Sequence, residues 1–330
     1  MKLTINEIAE LAQVSKGTVS KALNGQKGVG EEKRKLIVEI AKQLDYHPNA
    51  SARALASKRA FAIGLVLPQE AGILMSGVFW SSVIAAVAEE ARIRGCDLVV
   101  LSPGPGDGDS SAPVGSVLRR RNVDGLILSA ENLDPKEISD LVLAELPFVL
   151  LGRSPGIRHY SIDVDNEAAS RKIVGHLVSQ GRRRIACIAG PSEHHYVSER
   201  VEGYEAALRE AGIAWSAVEH STYAAEETKA AIARLLAGHP DMDALFITAG
   251  GDFTLDAVDA LKNAGSDLSD LGISVFDDYR FFDYLGMPIS RMRQPLREIG
   301  IKAASLLFEL IDGKIPERMD WVLEAAVITN

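Results

Sequence analysis

Cysteine is nearly absent from this chain: two occur in 330 residues, Cys96 and Cys187, each beside an apolar run that reads as a strand. Buried free thiols fit that setting better than a disulfide scaffold. No Cys/His set has the spacing of a metal site and no Gly-x-Ser-x-Gly elbow is present. No metal, no cofactor and no hydrolase chemistry are therefore expected. No apolar run approaches the roughly 18 residues that a membrane span needs, and the N-terminus lacks the basic-then-apolar pattern of an export signal. A cytoplasmic protein without membrane contact is expected. Low hydrophobicity, the mark of disorder, is missing too. The chain is 47% hydrophobic and 25% charged, a globular profile with room for a small module plus one or two core-bearing domains.

Positive charge is also short overall, the net being −9, but the balance is uneven. Residues 1–59 hold eleven Lys and Arg against six acids, a net of +5, which leaves −14 on the other 271 residues. A basic head on an acidic body fits a module that attracts phosphates and a body that discourages non-specific clinging.

The head reads as helices. Ile5, Ile8, Ala9 and Ala12 fall at i, i+3, i+4 and i+7, and Thr4 with Glu7 makes a capping box, so a first helix runs from about Ile5 to Ala12. Ser15 is a good N-cap for a second helix with Val19, Ala22 and Leu23 inside, and Asn24-Gly25 supplies its stop. Two short helices with a tight turn read as helix-turn-helix, although the periods alone fit an ordinary helical hairpin equally well. The outer face of the second helix presents Lys16, Gly17, Thr18, Ser20 and Lys21, residues suited to phosphates and base edges. A third helix over Glu31 to Leu44 closes the head and stops at Tyr46-His47-Pro48. Ala50 to Ser57 would be a marginal helix alone, and by composition it reads as a linker.

The stretch TINEIAELAQVSKGTVSKALNG, Thr4 to Gly25, resembles the N-terminal signature of the lactose-repressor/galactose-repressor (LacI/GalR) family of bacterial transcription regulators. That signature is T-I-x-D-I-A-x-x-A-x-V-S-x-x-T-V-S-x-x-L-N; here Glu7 stands for the usual Asp and Gln13 for the usual Gly. The resemblance implies a helix-turn-helix head over 1–47, a hinge helix over 48–59 that folds on operator DNA, and a two-lobed effector-binding and dimerisation body over 60–330. It implies a homodimer on a pseudo-palindromic operator. The DNA contacts expected are Thr4, Ser15, Lys16, Gly17, Thr18, Ser20, Lys21 and Asn24 from the head, and Asn49, Arg53 and Leu55 from the hinge. Leu55 stands where the family inserts a leucine between base pairs from the minor groove. Gly17 has no side chain to read a base, so Lys16 and Lys21 are expected to read each half-site, preferring guanine.

From Phe61 onward, short apolar strands alternate with amphipathic helices. Strands are expected at 61–67, 97–102, 124–129, 148–152, 184–190, 243–249 and 273–276, with helices near 78–94, 166–180, 198–212, 224–237, 252–264 and 296–312. Such alternation means parallel sheets covered on both faces, and the run is too long for one sheet. The fold class expected is α/β, an all-α helix-turn-helix head followed by a two-lobed α/β body. The resemblance implies that the body has the periplasmic-binding-protein-like fold. Lobe 1 would take about 60–161 and 293–317 and lobe 2 about 162–292 and 318–330, with crossings near 160–163, 288–294 and 315–320.

Ligands of open α/β lobes bind beyond the carboxyl ends of the strands. The loops there carry Phe79, Trp80, Arg153, Ser198, Arg200, Asp252 and Asp277. A flat ring covers the apolar face of a sugar, while Asp and Arg hydrogen-bond its hydroxyls. Each also has a structural reading: the rings could start a helix, Arg200 could pair with Glu202 or Glu205, and the acids could be helix caps. The resemblance favours Arg200 in SERVEGY and Asp277 in VFDDY, and Asp252 less, because the family's Asn-Asp reads Gly251-Asp252 here. A sugar effector is expected. His194, His195 and Arg158 keep a phosphorylated or acidic sugar open, and a nucleobase is a further alternative. The rival class, a sugar-binding transport protein, is opposed by the basic head, and an enzyme by the want of a convergent acid-base set.

Overall fold

A computed structural model describes residues 4–23, 27–44, 46, 57, 59–67, 77–101, 113–120, 122–130, 135–153 and 159–329. Asn24, Asn49, Arg53, Leu55 and Arg158, and with them most of the expected hinge, lie outside the described residues. The chain divides into two compact units between Ala60 and Phe61.

The head consists of α1 (Ile5–Leu11), α2 (Lys16–Leu23) and α3 (Glu31–Gln43). Thr4 starts α1 by donating its backbone N–H to Glu7 Oε2 at 2.7 Å and its hydroxyl to the same oxygen at 3.2 Å. Ile8, Ala9, Ala12, Val19, Ala22, Ile37 and Ala41 form the core. Arg34 Nη1 donates to the carbonyl of Ala22 at 3.2 Å and ties α3 to the end of α2.

The body begins with β1 (Ala62–Val66), α4 (Val78–Ile93), β2 (Asp97–Leu101), α5 (Pro113–Arg120), β3 (Leu126–Ser129), α6 (Pro135–Leu143), β4 (Phe148–Leu151) and β5 (Ser161–Val164). It continues with α7 (Asn166–Ser179), β6 (Ile185–Ala189), α8 (His195–Glu210), β7 (Ala217–His220), α9 (Ala225–Gly238), β8 (Ala244–Ile247), α10 (Asp252–Asn263), β9 (Gly272–Phe276) and β10 (Ile289–Arg293). Last come α11 (Leu296–Ile311), β11 (Asp320–Leu323) and β12 (Ala326–Ile328). Among the described residues these strands make two sheets, ordered β11-β5-β4-β3-β1-β2 and β12-β10-β9-β8-β6-β7. All pairs are parallel except β12 on β10.

Every residue of β1, β3, β6, β8 and β9 is buried, which is why these strands stand out as unbroken apolar runs. The edge strands β7, β11 and β12 are partly exposed, β7 and β11 carry polar residues and β12 is only three residues long, and no strand was expected at any of them. Cys96 and Cys187 are buried free thiols, and burial pushes the Cys187 thiol up.

The crossings differ from the expected ones. Leu150 and Leu151 of β4 pair with Ser161 and Ile162 of β5, and Ile162 pairs with Trp321 of β11, so residues 162–164 and 320–323 belong to the first lobe. The chain therefore crosses at Asp165, at Gln294-Pro295 and at Glu324-Ala325. The third crossing was placed too early because Asp320–Leu323 is a short, half-exposed edge strand without an apolar run. No helix among the described residues is long and apolar enough to cross a membrane.

Candidate functional site

The head presents the face that its sequence implies. Val19 and Ala22 point into the core, while Lys16, Gly17 and Lys21 are exposed and Thr18 and Ser20 are half-buried. Ser15 caps α2: its Oγ accepts from the Thr18 N–H at 3.1 Å and shares a hydrogen with Thr18 Oγ1 across 2.9 Å. Those two hydroxyls thus fix the start of the helix from which the lysines project. Gln13, in the turn before it, has φ 51°, the left-handed conformation in which the signature's glycine would be unstrained.

In the body, strand order reverses between β1 and β3 in one sheet and between β6 and β8 in the other. Ligands of such sheets bind outside the carboxyl ends at that switch. The loops there enclose one cleft. The first lobe contributes Phe79 and Trp80 from the start of α4, Ser129 at the end of β3, Arg153 after β4 and Asp163 in β5. The second contributes Tyr196 and Arg200 of α8, Tyr223 after β7, Phe253 of α10, and Asp277 and Tyr279 after β9. Gln294 reaches it from the second crossing.

Aromatic rings form much of the wall. Phe79 and Trp80 meet edge to face with centroids 5.2 Å apart. Tyr223 and Tyr279 lie against bare backbone, for a Cβ at Gly190 would strike the Tyr223 hydroxyl and one at Gly250 the Tyr279 ring. The hydroxyls of Tyr196 and Tyr223 are 2.6 Å apart. Tyr279 Oη accepts from the Val78 N–H at 3.1 Å, so the lobes touch through this bond.

The polar groups are held rigidly between the rings. Arg200 donates from Nε to Asn166 Oδ1 at 2.9 Å and from Nη1 to the Thr248 carbonyl at 2.6 Å, and its guanidinium lies 3.6 Å from the Phe276 ring centroid. Asp277 has φ 129°, a strained backbone of the kind that functional sites retain. Its Oδ1 accepts from Gln294 Nε2 at 2.6 Å and its Oδ2 from the Gly250 N–H at 3.3 Å. Burial pushes the Asp277 carboxyl above its ordinary range, against the pull of Arg200. Burial raises Asp163 likewise, against Arg153. Burial alone would lower Arg153, but Glu199 and Asp163 outweigh it and hold the guanidinium more firmly charged. Apolar ring faces around fixed donors and acceptors suit a ligand with a hydroxyl rim and an apolar face.

Of the residues expected to meet an effector, Phe79, Trp80, Arg153, Arg200 and Asp277 come together here. Ser198 and Asp252 do not line the cleft. Ser198 donates to the Ser192 carbonyl at 3.3 Å, and Asp252 is exposed in the first turn of α10, where its charge favours the helix. Their neighbours Tyr196, Gly250 and Phe253 line it instead. Sequence reasoning missed Tyr196, Tyr223, Phe253, Tyr279, Gln294 and Asp163. The rule that selects residues just past strand ends would have found Phe253 and Tyr279, whereas Tyr223, Gln294 and Asp163 belong to or follow strands that were not read.

A helix-turn-helix head followed by a two-lobed α/β body with a cleft defines a transcription regulator. The chain belongs to the LacI family: residues 4–49 match "Bacterial regulatory proteins, lacI family" and residues 60–322 match "Periplasmic binding proteins and sugar binding domain of LacI family". It is 31% identical to the HTH-type transcriptional regulator CelR of Thermobifida fusca, over 99% of this chain and 97% of that one. Among solved structures it resembles a transcriptional regulator CelR–cellobiose complex, with TM-score 0.74 and 28% identity over 99% of this chain and 98% of that chain. The lac repressor dimer bound to operator and the anti-inducer ONPF shares the fold, with TM-score 0.82 and 24% identity over the same shares of the two chains.

Proposed function

We propose that the protein is a homodimeric repressor of sugar uptake or catabolism genes that binds a pseudo-palindromic operator and takes a sugar in the cleft as its effector. The observation that carries this reading is the cleft itself, with aromatic faces from both lobes around the fixed Arg200, Asp277 and Gln294. A nucleobase would use one stacking slot. A sugar uses faces and rim donors together, and the cellobiose held by a similar regulator makes glucose disaccharides the first ligands to try. Lys16 and Lys21 supply the base contacts in this reading, and the hinge residues Asn49, Arg53 and Leu55 supply the minor-groove contacts. Because one ligand touches both lobes, it binds their closed arrangement best, so effector and operator bias one equilibrium reciprocally.

The test is a thermal-shift screen of the whole chain against cellobiose, maltose, glucose and purine bases, followed by anisotropy titration of operator DNA selected from a random library. A true effector at 100 times its Kd stabilises the fold by about 2.7 kcal/mol, and the same compound should change operator affinity. A response to purines alone would overturn the sugar reading. Failure to select any two-fold symmetric site would overturn the operator reading.

A further inference from the structure

The guanidinium groups of the cleft are matched by carboxyl groups of the protein itself. Arg153 donates from Nε to Asp163 Oδ2 at 3.2 Å and pairs through Nη2 with Glu199 Oε1 at 2.6 Å. The shorter of these contacts joins the lobes, since Arg153 follows β4 and Glu199 lies on α8. Glu199 is itself fixed from two more sides. Asn166 Nδ2 donates to its Oε2 at 3.2 Å, and His195 Nε2 lies 3.2 Å from its Oε1.

Glu199 is buried and does not line the cleft, so it reaches a ligand only through Arg153 and through its charge. Arg200, the other guanidinium, is held by Asn166 and the Thr248 carbonyl and acts on Asp277 through its charge. Among the described residues, therefore, two guanidinium groups and His195 line the cleft, and the carboxyl groups of Asp163, Glu199 and Asp277 stand around them. An anionic ligand would have to enter a weakly screened site in which the charge of Arg153 is already paired with Glu199. A neutral hydroxyl meets no such penalty at Arg153, which lines the cleft.

We propose that Glu199 is a specificity-determining residue that holds the charge of Arg153 against the protein and so restricts the cleft to uncharged sugars. This rests on the sugar reading above. It sets aside the phosphorylated or acidic sugar that the neighbouring histidines had kept open.

The experiment measures by calorimetry, on the full chain in buffered 0.15 M salt, the affinities for cellobiose, maltose and their aldonates, cellobionate and maltobionate. The wild type should bind a neutral disaccharide and reject its aldonate. Glu199→Gln keeps the shape of the side chain and should improve aldonate binding about tenfold, the size of one charge acting across about 10 Å at an effective dielectric constant near 20. Glu202→Gln, which removes the same charge from an exposed position on α8, should leave the ratio of the two affinities unchanged. That ratio is insensitive to a merely structural loss, which would weaken both ligands together. A wild type that binds aldonate as well as its parent sugar, or a Glu199→Gln protein with no relative gain, would overturn the inference while the sugar reading stood. If neither protein binds any of these sugars, both fall.

Discussion

At the scale of single residues, the absence of a side chain at Gly250 shapes the cleft. A methyl group there would enter the Tyr279 ring and stand 2.8 Å from Asp277 Cβ. Gly250→Ala should therefore cost about 1–3 kcal/mol in a melt, as overpacking does, and should weaken effector binding more than that loss alone explains. Asp277 gives a pH signature. Its carboxyl is raised in the folded protein, so the native state holds a proton that the unfolded chain releases. Its contribution to stability is then full below the ordinary carboxyl range and is lost as pH rises through the raised value. As pH rises from the ordinary carboxyl range, the melting temperature of Asp277→Asn should gain on the wild type; a constant gap would refute this. Arg200 and Asp277 were legible because short apolar runs announce the strands before them. Gln294 was not, because it follows Ile289–Arg293, a strand with two arginines and a serine among its five residues.

At the scale of elements, the turn between α1 and α2 carries a cost that the family signature avoids. Gln13 sits at φ 51°, where a side chain costs roughly 1–2 kcal/mol. Gln13→Gly should slow amide exchange across α1–α3 in the full chain, by an amount matching about 1 kcal/mol. Faster exchange would mean that the loss of unfolded-state restriction outweighs the relief of strain. The head's helices could be placed from sequence nearly to the residue, since caps and inward faces agree: Thr4 with Glu7, Ser15 with Thr18. Helices α5 and α6 were not expected, and both are short, at eight and nine residues. Strand β7 escaped for a different reason: Ala217–His220 places Glu219 and His220 at a sheet edge, which needs no apolar run.

At the scale of the whole body, the bond from the Val78 N–H to Tyr279 Oη joins the lobes outside the sheets. Tyr279→Phe removes it and leaves the ring in place. Losing about 1 kcal/mol from the closed arrangement should weaken effector binding roughly fivefold with little change in melting temperature; a large fall in melting temperature would make the hydroxyl a general support instead. The two-lobed plan was legible because alternating runs outnumber what one sheet accommodates. The crossings were not, since each falls at a strand end whose partner is far away in sequence, as Ile162 is from Trp321. That triple passage bears on how the molecule is made. The three helices of the head end by Gln43 and leave the ribosome well before either sheet can close, since both sheets wait for strands beyond residue 319. At ordinary elongation rates the interval is on the order of tens of seconds. During it a nascent chain can carry a finished DNA-reading head while the body that would govern it is still unassembled.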